Sequence, residues 1–113
     1  MADADVRDPS AIADRLFRQA NAGRIRITAH AHQEMVEEEV RLDDVVSVLQ
    51  KATLVENYPE HKRGPCCLVC GQSQNGRHLH VVCTTSVALA IVITVYEPKP
   101  PKWATPFTRG HTQ

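Results

Sequence analysis

The residues best suited to proton and anion chemistry lie in the second half of the chain. Arg77-His78-Leu79-His80 places a guanidinium and two imidazoles within four positions, and Tyr96, Lys99, Lys102 and Arg109 follow. Histidine gains and loses a proton near neutral pH, and Arg and Lys hold negative charge. On a strand the side chains alternate, so Arg77 and Leu79 share one face and His78 and His80 the other. Strand twist, or a bulge beside the Asn75-Gly76 turn, would bring Arg77 toward His80. His30 becomes a partner for His80 if the helix that carries it packs on the sheet. Tyr96 ends an apolar run, where a phenol can orient a phosphate or donate a proton. Each has a structural alternative. His80 can be a strand histidine bonded to a backbone carbonyl, and His30 can tie its helix to the sheet. Arg77 can solvate the turn, and Tyr96 and Trp103 can pack the tail. His61 and His78 read as surface residues.

The cysteines are Cys66, Cys67, Cys70 and Cys83. Cys67-x-x-Cys70 with His78 and His80 has the donor types of a zinc site. On a strand, however, Cys67 and Cys70 point to opposite faces, which spoils the chelate. The reading adopted is four reduced thiols acting as small apolar residues, with no metal and no cofactor. Cys83, three positions after His80, faces away from it, so a Cys–His nucleophile pair is not expected.

The elements that must position these groups fit one domain of 113 residues with 42% hydrophobic and 23% charged composition. Thirteen basic and thirteen acidic residues cancel, so no global field draws the chain onto nucleic acid or membrane. The halves differ: residues 1–56 carry seven basic and eleven acidic side chains, residues 57–113 six and two. An anion therefore belongs with the C-terminal half. The acidic opening MADADVRDPS has no secretory pattern. The stretch His78–Tyr96 is uncharged, but it is β-branched-rich and polar at its middle, so two strands are expected and not a membrane helix.

Ser10 is expected to cap a first helix with Ile12, Leu16, Phe17 and Ala20 inward, ended by Gly23. Arg24–Thr28 reads as a short strand, Ala29 to about Glu38 as a helix capped by Thr28, and Leu42–Lys51 as a third helix. Strands are expected at 53–57, 66–71, 77–84 and 87–95, the last central and buried on both faces. The Pro-rich tail should run extended over the surface, pinned by Trp103 and Phe107. The result is an α+β fold: an antiparallel sheet of four to five strands with two to three helices on one face. Its parts are an N-terminal helical segment (1–23), the core (24–97) and the tail packed on it (98–113).

Seven pieces carry a resemblance. They are Ile27-Thr28-Ala29-His30-Ala31, Leu42-Asp43-Asp44-Val45, Glu56-Asn57-Tyr58-Pro59, Cys67-Leu68-Val69-Cys70-Gly71, Arg77-His78-Leu79-His80-Val81-Val82, Ile93-Thr94-Val95-Tyr96-Glu97-Pro98 and Trp103. In order and spacing they resemble the bacterial domain-of-unknown-function family 4258, grouped with the RelE/ParE-like toxins of toxin–antitoxin systems. The resemblance spans about Arg24 to Phe107. It implies a RelE-like fold, a cytoplasmic protein encoded beside a small antitoxin, and metal-independent cleavage of messenger RNA on the ribosome. Two departures stand out. The chain has Glu34 where relatives usually carry arginine, and Glu38-Glu39 where they usually carry an Arg-Gly pair.

Metal-free RNA cleavage needs a base for the ribose 2′-hydroxyl, an acid for the leaving 5′-oxygen and cations for the phosphorane. On that chemistry His80 and His30 are the candidate acid–base pair. Arg77 and Tyr96 join them at the catalytic site, with Lys99, Lys102 and Arg109 on RNA phosphates. That reading requires the two imidazoles to converge in an open cationic hollow. The alternative keeps the fold but not the catalysis: a module that binds an antitoxin-like protein, or pairs with itself through a strand edge.

Overall fold

The computed structural model describes residues 5–110; the first four residues of the acidic opening lie outside that range. Helix α1 (Pro9–Asn21) starts two residues earlier than expected. Asp8, not Ser10, is the N-cap, its carboxylate accepting from the Ala11 amide at 3.0 Å. Pro9 explains the shift: a proline fits the first helical position, where its missing N–H costs nothing. Ile12, Leu16 and Ala20 are buried, but Phe17, expected inward, is nearly half exposed. It lies about 100° around the helix from Leu16, outside the buried stripe. Gly23 follows at φ 70°, the left-handed conformation that closes a helix at little cost to glycine.

Strand β1 (Ile25–Ile27) leads into α2 (Ala29–Glu37), capped by Thr28, and α3 (Leu42–Gln50). Strands β2 (Thr53–Tyr58), β3 (Cys66–Gln72), β4 (His78–Thr84) and β5 (Ala90–Tyr96) complete a five-stranded sheet. Its order is β1-β5-β4-β3-β2. β2 through β5 form the expected antiparallel meander, but β1 pairs with β5 in parallel, so the sheet is mixed. No hairpin joins these two strands, so nothing local forces them antiparallel. β4 is the central strand; β5 lies next to the edge, with alternating burial. Its apolar run is explained differently at its start, where Val87 and Leu89 belong to an exposed loop.

All three helices pack on one face. Their Ile12, Leu16, Ala31, Met35, Val45, Val48 and Leu49 meet Cys67, Val69, Leu79, Val81, Cys83, Val92 and Val95 in one cluster. Full burial of each Leu, Ile or Val contributes about 1.5–3 kcal/mol. Gly71 allows the closest approach: a Cβ there would lie 2.9 Å from the Val48 backbone. The tail is not simply extended. It forms a hairpin of β6 (Trp103–Thr105) and β7 (Thr108–Arg109). Trp103 is buried as expected, whereas Phe107 is about half exposed.

Candidate functional site

The hairpin lies over the sheet face that the helices leave free. Period-two alternation puts Cys66, Leu68 and Cys70 of β3 and His80 of β4 on that face, and all are buried. Cys70 and His80 are cross-strand partners, as are His80 and Tyr96. Over them sits Trp103, its ring edge-on to His80 at 4.4 Å between centroids. Tyr96 meets the same imidazole edge-on at 5.1 Å.

His80 is 0% exposed. Its Nε2 lies 2.6 Å from the Pro106 carbonyl oxygen and its Nδ1 3.0 Å from the Tyr96 hydroxyl. A carbonyl only accepts, so Nε2 carries the proton and Nδ1 accepts from the phenol. Burial pushes the pKa of His80 below the usual histidine value, against a smaller opposing effect of the Pro106 bond. Burial likewise raises the Tyr96 phenol.

Two residues that the sequence reading did not single out complete this face. Glu56 and Tyr58, two apart on β2, share a side, and the Tyr58 hydroxyl donates to the Glu56 carboxylate. Arg109 of the hairpin clamps Glu56 in two-pronged fashion, Nε to Oε2 at 2.6 Å and Nη2 to Oε1 at 2.8 Å. The guanidinium also stacks 4.8 Å from the Trp103 ring centre. It holds the Glu56 carboxyl at about 2, while burial and the Glu56 bond push Tyr58 up to about 12. The period of two on Glu56-Asn57-Tyr58 was the available sequence signal. What the sequence did not show is that Arg109 returns to meet them.

The structure therefore brings His80, Tyr96 and Arg109 together, with Lys102 at the Tyr96 ring, and leaves His30 and Arg77 elsewhere. His30, expected to face His80, is on α2 on the opposite side of the sheet. Its side chain is 68% exposed and its Nε2 is 3.4 Å from Glu34. The first turn of α2 points that side chain outward, and the sheet separates the two imidazoles. Arg77 reaches toward the helices. Its Nε donates to Glu97 at 2.7 Å, and its Nη atoms donate to the Glu38 and Glu39 carbonyls at 2.5 and 3.3 Å. It satisfies carbonyls that the end of α2 leaves unpaired. Lys99 is exposed, and Lys102 lies over the Tyr96 ring at 5.7 Å.

The carboxylates Glu34, Glu38 and Glu39 have visible work. β1 ends after pairing with Val92, which leaves the outer edge of β5 without a strand partner. Glu34 accepts from the Val95 amide at 2.9 Å and Glu38 from the Glu97 amide at 2.7 Å, so two carboxylates continue the ladder. Glu39 takes φ 57°, and the Val40 amide bonds back to the Met35 carbonyl at 2.8 Å. This is a left-handed helix stop of the kind that glycine favours.

The thiols are all free and buried. Cys67 sits in the helix-side core and Cys70 on the other face, as their spacing requires. Cys83 is opposite Cys67; their bond and burial hold its thiol well above the usual range. Burial raises Cys70 to about 11. Neither is a nucleophile near neutral pH. Among the described residues no three His, Cys, Asp or Glu side chains gather to hold a metal, and no helix is long and apolar enough to cross a membrane.

As arranged, this face is a closed latch. The imidazole has no room beside it for a sugar-phosphate, the carboxylate is engaged by Arg109, and a carboxyl titrating at about 2 is a weak base near neutrality. No curated protein and no solved structure matches the chain. A family model does match, over residues 27–97. That span covers most of the chain, from the last residue of β1 through the Arg77 partner Glu97, and takes in β2 to β5. The chain therefore belongs to the family described as Domain of unknown function (DUF4258).

Proposed function

We propose that this chain is a RelE-like module of a toxin–antitoxin pair that works by binding a protein partner. It does not cleave RNA through the predicted histidines. The observation that carries the reading is the state of His80: fully buried, both ring nitrogens bonded, under a hairpin held by Arg109 and Glu56. Acid–base catalysis requires a group within hydrogen-bond reach of the proton it moves. Two of the cations expected on phosphate are engaged as well, Arg77 by Glu97 and Arg109 by Glu56. The test has two arms. Purified protein is mixed with ribosome-bound messenger RNA without metal, and it is separately co-expressed with the product of the adjacent reading frame. The expected result is intact RNA and a stable complex. Cleavage by the wild-type chain that Tyr96→Phe abolishes would overturn the reading.

A second reading rests on the same face. Glu56, Tyr58, His80 and Tyr96 beneath the hairpin, with Arg109 of the hairpin itself, form a polar group that includes the residue types of metal-independent RNA cleavage. In this reading the hairpin opens on the ribosome and the chain is an endoribonuclease. Trp103→Ala, which loosens the latch without touching that group, discriminates. Faster RNA cleavage than wild type supports the enzyme; none supports the binding module.

A further inference from the structure

The hairpin covers only one end of the helix-free face. At the other end, where Cys66 pairs with Thr84, a cleft of about 500 Å³ stays open. Its floor is Cys66, Thr84 and Ile93, and its rim is the β2–β3 loop carrying His61, Lys62 and Arg63. These three are exposed, and none forms an ion pair among the described residues. The nearest carboxylate in sequence, Glu60, is turned to Arg7 at 3.7 Å. The loop holds His61 in one orientation: the Arg63 amide donates to Nδ1 at 3.2 Å, which leaves Nε2 as the outward donor. By contrast Arg77 and Arg109 are already paired with carboxylates.

We propose that this cleft docks an acidic segment of a partner polypeptide, with one aliphatic side chain on the Ile93 floor and flanking carboxylates on Lys62, Arg63 and His61. The proposal rests on the partner-binding reading above and names its surface. Charge complementarity selects an anionic occupant. The floor selects one with an apolar body, which excludes inorganic phosphate as the intended ligand. Among the described residues no Phe, Tyr or Trp lines the cleft, so the surfaces on which a base could stack are limited to the His61 ring and the Arg63 guanidinium at the rim.

The test is a titration of the isotope-labelled full chain, followed by amide resonances. The probe is a short peptide of aspartates and glutamates around one central leucine. The shifts expected to move are those of Lys62, Arg63, Gly64, Cys66, Thr84 and Ile93. The double reversal Lys62→Glu with Arg63→Glu should weaken binding about tenfold or more, as loss of two rim charges implies. Four results would overturn the proposal. They are no response at millimolar peptide, an equal response to the peptide with its acids replaced by amides, shifts centred on α2 and α3, and stronger binding of oligouridylate or inorganic phosphate. A complex with the adjacent-frame product that survives the double reversal also overturns the cleft, while leaving the partner-binding reading intact. RNA cleavage by the wild type overturns that reading instead.

Discussion

Replacing His80 by alanine separates a structural imidazole from a catalytic one. The side chain makes two hydrogen bonds, 2.6 Å to the Pro106 carbonyl and 3.0 Å to the Tyr96 hydroxyl. Each is worth about 0.5–1.5 kcal/mol net, and more when its partner is left buried and unpaired. It also makes two edge-to-face contacts, with Trp103 and Tyr96, worth about 0.5–1.5 kcal/mol each. These overlap with the cavity left behind, so the aromatic-to-alanine range of about 3–5 kcal/mol is the expected total. For a chain of this length one kcal/mol is about 4 °C in Tm, so the midpoint should fall by about 12–20 °C. The assay is thermal unfolding followed by the fluorescence of Trp103, the single tryptophan, which also reports whether the hairpin has lifted. His30→Ala is the control: exposed and bonded only to Glu34, it should cost under about 0.5 kcal/mol. A His80→Ala protein as stable as wild type, with its tryptophan spectrum unchanged, would refute the account of the latch. So would the reverse ranking of the two histidines.

The remaining expectations are independent of one another. The folded-state pKa of His80 is depressed, so its contribution is fully present above the unfolded value near 6.5 and declines as pH falls below it. A Tm–pH curve should drop there, and His80→Phe should flatten that drop. Glu56 behaves alike at lower pH, its stabilisation lost between about 4.5 and 2, with Arg109→Ala removing the effect. Glu39→Gly should stabilise by about 0.5–1 kcal/mol in urea unfolding, because glycine takes φ 57° without Cβ strain. Gly71→Ala should destabilise by about 1–3 kcal/mol, since its Cβ would press on the Val48 backbone; an unchanged midpoint would mean that α3 shifts freely. Glu34→Ala should cost about 1–2 kcal/mol by leaving the Val95 amide without its charged acceptor, with Glu34→Gln recovering part of it.

Local pattern determined most of the elements. Thr28 and Gly23 mark helix boundaries because side-chain capping and left-handed stops involve only a few neighbouring residues. The alternation on β4 correctly separated His80 from Arg77, and the spacing of Cys67 and Cys70 correctly set them on opposite faces, because strand geometry has a period of two. The α+β character was legible in the same way, and the span of the resemblance, about Arg24 to Phe107, contains the matched residues 27–97. Tertiary structure alone decided which strands are neighbours, that β1 runs parallel to β5, and that β4 takes the centre. It also decided that His30 and His80 stand on opposite sides of the sheet, and that Arg109 returns across the chain to Glu56 and closes a hairpin over His80. The reason is physical. Propensity and periodicity say which way a side chain points relative to its own backbone. What it meets there depends on segments distant in sequence, brought near by burial and loop closure that no local window contains.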